Sequence, residues 1–338
     1  MKSTGQLWFH PAIGYPFDMT VKILPLEEIA VENELFRISE ELDSAALVDS
    51  IGEIGQLNPV ILLDQGPLKV VICGFRRIRA LQNLGQSKAL VKIISEKNMG
   101  LLRGFELSLR DNLVHRKLNA LEKARILFKL QNICGLSKAT LVKTYLPLLG
   151  LAPQEVPLES YLRLHGAHSA LRQCLTEGRM TPASAECLSA TPHPVQERVS
   201  LMMNRVQLSS SMQKKVFVLL EELSAMSGSE LDAPLQKAEA LSVLEDSRLS
   251  PFQKGMRLYE ILYRIRFPML SDTEARFNFA REQLHLPGFI RIRPHPFFET
   301  ADLHVEFEAS TAKRFRELAS ALAEAAESPE LDKLFRDF

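Results

Sequence analysis

Four cysteines in 338 residues, at positions 73, 134, 174 and 187, form no CxxC pair and show no metal-like spacing. That excludes a disulfide scaffold and a structural zinc site, and leaves reduced thiols of the kind a cytoplasmic core holds. Net charge is also missing: Lys+Arg and Asp+Glu stand at 41 each. Any grip on nucleic acid must therefore come from local basic patches, because the whole-chain field gives no attraction. Nowhere do about 18 apolar residues run uninterrupted, and the N-terminus, with Trp8, His10, Pro11, Gly14 and Pro16, has no apolar signal core. A cytoplasmic protein without a membrane span is expected. What is present, 46% hydrophobic and 24% charged residues, describes a folded chain long enough for two or three domains.

The organising stretch is Val70-Val71-Ile72-Cys73-Gly74-Phe75-Arg76-Arg77-Ile78-Arg79-Ala80-Leu81. Val70 to Ile72 read as a buried strand end, Gly74 permits a tight turn, and Ile78, Leu81 and Leu84 recur at helical spacing until Gly85. A helix N-terminus offers unpaired N–H groups and a positive dipole end, and three arginines reinforce it, which suits a polyanion such as a triphosphate. Arg76 and Arg79 project away from the Ile78 and Leu81 face. Arg77 lies closer to that face and is as well read as an internal structural arginine.

Residues 1–19 form an irregular arm by their Pro and Gly spacing. From Val21 to Ile94, strands at Val21–Leu24, Pro59–Leu63, Val70–Ile72 and Leu90–Ile94 alternate with helices, giving a small α/β domain over 20–118. Its last helix carries Leu102, Phe105, Leu109 and Leu113 on one stripe and ends in Asp111, Asn112, His115 and Arg116. Residues 119–194 are helical: Asn119 with Glu122 makes a capping box, Ser137 caps a helix that Pro147 is expected to break, and a third helix follows Pro153. Thr181 caps a further helix that Pro182 starts. The 195–286 region is helical without a motif; Phe252, Met256, Tyr259 and Tyr263 are read as one core stripe, with Lys254, Arg257, Arg264 and Arg266 on a solvated face. In 287–338, Phe289–Arg293 and Leu303–Phe307 alternate as half-buried strands, and a helix capped by Ser310 carries Phe315, Leu318 and Leu322. A unit so small is expected to complete its core by pairing with a second copy. The fold class is α+β, predominantly helical.

The Gly55-Gln56-Leu57-Asn58-Pro59-Val60 approach to a strand, the Gly74-to-Ala80 box and the Asp111-Asn112 helix end resemble the N-terminal domain of the ParB family of chromosome- and plasmid-partition proteins. The family's GERRxRA box is met at five of its six fixed positions, and Asp111-Asn112-Leu113-Val114-His115 stands where the family has ENxQR. The resemblance implies a CTP–Mg2+ site in which Arg37, Gly74, Arg76, Arg77, Arg79, Asn112 and Arg116 contact nucleotide or phosphate, with Asp111 and Asn112 at the metal. It further implies a helix-turn-helix in 119–194 that offers Gln154, Ser160 and Arg163 to double-stranded DNA, and a homodimer through the ββα unit. In the family, nucleotide closes such a dimer around DNA.

Phe75 replaces the first box's glutamate, Asp111 shortens the second, and His115 stands for an arginine. Removing carboxylates that would orient water or metal leaves weak CTP hydrolysis at most. Glu155 and Glu159 on the supposed recognition helix are poor company for phosphates. Residues 1–19 lack the basic arm with which the family stimulates a ParA-like ATPase, so regulation is as open as partition. Two other classes stand beside this: an enzyme on the related sulfiredoxin fold, a nuclease or a nucleotide-dependent kinase; and a scaffold that binds no nucleotide.

Overall fold

The computed structural model describes residues 20–300 and 302–336, and the irregular arm expected over 1–19 lies outside them. The chain divides into two compact units: one runs to Arg172 and takes in Ala185–Ala190, and the other comprises Gln173–Ser184 and the chain from Thr191.

The first unit opens with β1 (Val21–Pro25), β2 (Ile29–Ala30), α1 (Ala45–Ile54), β3 (Val60–Asp64), β4 (Lys69–Cys73), α2 (Phe75–Asn83) and β5 (Lys88–Ser95). The strands form one mixed sheet in the order β1-β5-β3-β4-β2. β3 runs antiparallel to β4 and parallel to β5, so the start of β3 lies beside the end of β4, with Ile61 opposite Cys73. The central strands are near-continuous apolar runs, and Val60, Leu62, Val71, Ile72 and Val91 are fully buried, as a sheet covered on both faces requires. Gln56 explains the approach to β3. Its carboxamide accepts from Leu90 N at 2.7 Å and donates to Leu90 O at 2.8 Å, prolonging the pairing of β5 beyond the first residue of β3.

α3 (Leu101–His115) packs Phe105 and Leu109 into this core. Gly104 lets it approach Phe36 closely, because a Cβ there would stand 2.8 Å from the Phe36 ring. α4 (Ala120–Asn132) begins with the expected capping box in full, Asn119 and Glu122 each accepting from the other's backbone N–H. The next segment departs from expectation. α5 (Lys138–Thr140) passes into a π turn over Leu141–Tyr145 and then into α6 (Leu146–Leu148). Pro147 sits inside that last piece, where the first-turn position needs no N–H donor, so the irregularity precedes the proline. α7 (Glu155–His165) likewise tolerates Pro157 in its first turn.

α8 (Ser169–Thr176) and α9 (Pro182–Leu188) follow, and Thr181 Oγ1 accepts from Ser184 N at 3.2 Å as its sequence position suggests. The second unit continues with α10 (His193–Met203), α11 (Ser210–Ser227), α12 (Ala238–Glu245), α13 (Pro251–Arg266) and α14 (Pro268–Gln283). The expected stripe of α13 is corrected here: Phe252 is 59% exposed, while Gly255, Leu258, Ile261 and Leu262 are buried. Gly255 sets that rotation, since a Cβ on it would lie 2.7 Å from Leu208 Cδ2 and 3.0 Å from Gln207 O. Its basic face is partly engaged: Arg264 pairs with Glu239, Arg266 with Glu222 at 2.7 Å, and Lys254 donates to Leu244 O at 2.8 Å.

β6 (Ile290–Pro294) and β7 (Leu303–Phe307) pair antiparallel, followed by α15 (Ala312–Ala326) and α16 (Pro329–Arg336). The cap of α15 is Thr311 and not Ser310. The small sheet is also better covered than its length implies. Ile292 packs with Phe277, Ala280 and Leu284 of α14 and Leu334 of α16, a helix the sequence reading did not include.

Candidate functional site

Gly74 links β4 to α2 at φ +106°, a conformation that disfavours any side chain. Space forbids one too, because a Cβ there would meet Val60 Cγ2 at 3.1 Å and Val60 Cα at 3.4 Å. The turn therefore delivers the N-terminus of α2 straight onto the end of the sheet, and the three box arginines separate by environment. Arg76 is half-buried, and its Nε is shielded from solvent with no hydrogen-bond partner. Arg77 donates to Pro59 O at 2.6 Å and Asn58 O at 3.2 Å, so it fastens α2 to the start of β3. Arg79 lies outside, 3.2 Å from Asp43 on the surface.

The thiol of Cys73, under this turn, is pushed far up by burial, then by the Asp111 carboxylate, and is drawn down by Arg77. The charges from the end of α3 and from α2 thus act on the same strand end. Asp111 is partly exposed and lies 3.6 Å from His115 Nε2. Asn112 is fully engaged: its Nδ2 donates to Ser108 O at 2.9 Å, while its Oδ1 accepts from Arg116 Nε at 3.0 Å and Nη2 at 2.8 Å.

Arg116 is the centre of the cluster. Its Nη1 donates to both Glu122 carboxylate oxygens at 2.7 Å, and its Nη2 to Ser39 Oγ at 3.0 Å. Arg37 folds back on its own loop, donating to Ser39 O at 2.9 Å and Glu40 O at 2.8 Å and pairing with Glu34. α4 grips the same loop along one stripe. Glu122 holds Arg116, Arg125 reaches Ser39 O and Glu40 Oε2, and Lys129 donates to Glu34 O, Leu35 O and Arg37 O. Burial, then the neighbouring Arg125, lowers the Lys129 ammonium to about 8. Glu40 completes the lattice by accepting from Arg172 Nη2 at 2.8 Å.

The geometry brings Gly74, Arg76, Arg77 and Asp111 to one strand end and links Asn112, Arg116 and Arg37 through the loop at 34–40. It leaves Arg79 at the surface. On α7, Gln154 and Arg163 are exposed, whereas Ser160 is buried with its hydroxyl donating to Glu186 Oε2 at 3.0 Å, so Ser160 is not available to a ligand. Glu159 is paired with Lys138. Sequence reasoning missed Ser39, Glu40, Arg125, Lys129 and Arg172. Glu122 was recognised for its cap, but nothing in its spacing revealed the bond to Arg116.

A triphosphate suits what these residues leave unmet. The Arg76 Nε has no partner, and Gly74 sets the N-terminus of α2, on which Arg76 stands, at the end of β4. Magnesium on a nucleotide needs only one or two protein oxygens besides phosphate and water, and Asp111 can supply one. Among the described residues no group of three His, Cys, Asp or Glu is placed to hold a metal ion. No helix among them is long and apolar enough to cross a membrane.

Taken together, the five-stranded mixed sheet, the glycine-started arginine helix and the helix that carries Asp111 and Asn112 near its end make a small α/β domain followed by helices, an α+β and predominantly helical fold. No family model matches the chain. A probable chromosome-partitioning protein ParB of Campylobacter jejuni is 26% identical over 149 residues, which are 44% of this chain and 50% of that protein. The chain thus spans half the length of this curated relative. Among solved structures, the C-terminally truncated ParB of Caulobacter crescentus complexed with CTP-γ-S is 22% identical, covering 55% of this chain and 99% of that one, at a TM-score of 0.22. The same truncated protein complexed to the centromeric parS site is 17% identical over 62% and 94%, at 0.32. A Pnob8-like ParB-N domain is 10% identical over 72% and 98%, at 0.35. In its boxes and over the matched sequence, the chain is similar to ParB partition proteins.

Proposed function

We propose that the first unit binds CTP with magnesium and that the bound nucleotide gates a dimeric clamp on double-stranded DNA, in partition or in regulation. One observation carries the reading. A half-buried arginine with an unpartnered Nε stands at a helix N-terminus that a left-handed glycine brings onto a strand end, where Asp111 adds a carboxylate. Backbone N–H groups of α2 and Arg76 would hold phosphate; Asp111 would share the metal. Asn112 Oδ1 reaches the metal only by giving up Arg116, so nucleotide entry and the Asn112–Arg116 contact compete.

The departures limit the chemistry in the same terms. Phe75 is only 9% exposed, and an apolar ring there supplies no water-orienting carboxylate. A thiol as far raised as Cys73 is a poor nucleophile, which disfavours sulfiredoxin-type chemistry. Binding with little hydrolysis is the expected outcome. For DNA, Gln154 at the N-cap of α7 and Arg163 within it are the exposed residues of the three named for that role. Self-association through the C-terminal ββα unit, an ATPase partner, and a cytoplasmic, nucleoid-associated location belong to the same proposal.

Calorimetric titration of the full chain with CTP, ATP and GTP in magnesium, with and without mixed duplex DNA, tests it. Selective CTP binding that Arg76→Ala abolishes is expected. No binding of any nucleotide by the folded protein, or unchanged affinity in Arg76→Ala, would overturn the assignment and leave a scaffold or a nucleotide-independent DNA binder.

A further inference from the structure

β6 has one strand partner, β7, and its opposite edge is unpaired among the described residues. The direction of its backbone groups follows from the flanking bonds. Ile290 N donates to Pro287 O at 2.8 Å, away from β7, whereas His295 N donates across the hairpin to Asp302 O at 3.2 Å. Alternation along an antiparallel strand then turns Arg291 and Arg293 toward β7 for backbone pairing and sends the N–H and C=O of Ile292 to the open edge. Pro294, which has no N–H, closes that edge at its C-terminal end.

Beside this edge runs a groove of about 690 Å³ between the end of α14 and β6, lined by Arg281, Glu282, His285 and Leu286 on one side and by Gly288 and the strand from Ile290 to Arg293 on the other. Arg291 and Arg293 are 67% and 57% exposed on the polar face, and Glu306 is the acid that answers them, at 3.8 and 2.7 Å. Three arginines and a histidine therefore outnumber Glu282 along the groove, while Leu286 contributes an apolar wall.

We infer that the open edge of β6 is a strand-addition site for an extended acidic segment of a partner protein, one in which acidic and apolar residues alternate. Backbone bonds to Ile292 supply the pairing, the acidic positions fall beside Arg291 and Arg293, and the apolar positions fall on the opposite face toward Leu286. Charge complementarity chooses this occupant over a second copy. Two β6 strands placed side by side would bring Arg291 and Arg293 of each against the other, and like charges across a strand pair are destabilising. The inference is independent of the nucleotide site, because every residue it uses lies in the second unit.

The probe is a short fluorescein-labelled peptide of alternating glutamate and valine, titrated with the full chain and followed by fluorescence anisotropy. Binding is expected to weaken by roughly tenfold or more in Arg291→Glu, whose side chain is exposed and free of the core. A peptide of the same sequence N-methylated at alternate residues should not bind, because it lacks the N–H groups a new strand must donate. This second probe leaves the protein untouched, so a folding defect cannot imitate its result. Equal binding of the N-methylated peptide, or of a lysine–valine peptide, would overturn the inference. So would binding of duplex DNA, and not of the acidic peptide, that Arg291→Glu weakens; that result would make the groove a phosphate track. A loss of dimer in Arg291→Glu, with no peptide bound, would overturn it in favour of self-pairing.

Discussion

Replacing Glu122 by alanine tests the lattice at its most buried point. The Glu122 side chain is 4% exposed, takes both Nη1 bonds of Arg116 and also accepts from Asn119 N at 3.0 Å. Breaking a buried ion pair costs about 3–5 kcal/mol because it strands the remaining charge. Arg116 is 23% exposed and keeps Asn112 and Ser39, which offsets part of that. Loss of the bond to Asn119 N adds about 0.5–1 kcal/mol. The expected total is ~2–4 kcal/mol, or a melting temperature lowered by roughly 5–15 °C for a unit of this size. Glu122→Gln keeps an acceptor for the cap and should lose only about 1–2 kcal/mol. Scanning calorimetry of both variants is the assay, with Arg116→Met/Glu122→Ala as the double variant. The double should be less destabilised than the sum of its singles, since it leaves no stranded guanidinium. A Glu122→Ala protein within about 1 kcal/mol of the parent, or strict additivity, would refute the idea that this pair locks α3 to α4.

Lys129 gives a pH prediction: its amine titrates at about 8 when folded, against 10.5 as its ordinary value. The unfolded chain holds the extra proton between those values, so stability rises with pH from about 8 to 10.5, and that gain is lost again as pH falls back to about 8. The span is worth ~3 kcal/mol at most, and Lys129→Met should lack that slope in denaturant titrations run across it. Gly74→Ala places a Cβ at φ +106° and 3.1 Å from Val60; a loss of about 1–3 kcal/mol together with nucleotide binding is expected, and a stable variant that binds normally would contradict this role of Gly74. Phe75→Glu buries a charge and should melt earlier without gaining CTP turnover; a faster, equally stable enzyme would show that the carboxylate alone was missing.

The strands and helices of the first unit were legible because their signals are local. β-branched runs, Gly74, Gly85, and the Asn119–Glu122 box each act within a few residues. The ambiguity over Arg77 was also well placed, since its proximity to the apolar face is what brings it to the carbonyls of Asn58 and Pro59. What could not be read depends on partners distant along the chain. Arg116 binds Ser39, 77 residues away, and Arg172 binds Glu40 across 132. Ser160 reads as a surface hydroxyl until Glu186 is folded against it. The stripe of α13 failed for a related reason: hydrophobicity marks large side chains, whereas the helix is seated by the one residue that has none, Gly255.

The π turn over Leu141–Tyr145 amounts to one residue more than an α-helix between its ends would hold. Removing a single residue there would let the helix run on regularly and leave the segment beyond it in nearly the same phase, whereas the same deletion in a regular α-helix swings everything beyond it by about a quarter-turn. Tyr145, whose hydroxyl donates to Glu106 Oε1 at 2.7 Å, sits at the end of that extra residue's span. The segment is therefore a place where a one-residue deletion can be taken up locally, at the cost of moving Tyr145, while a regular helix of the same length would pass the change on to everything after it.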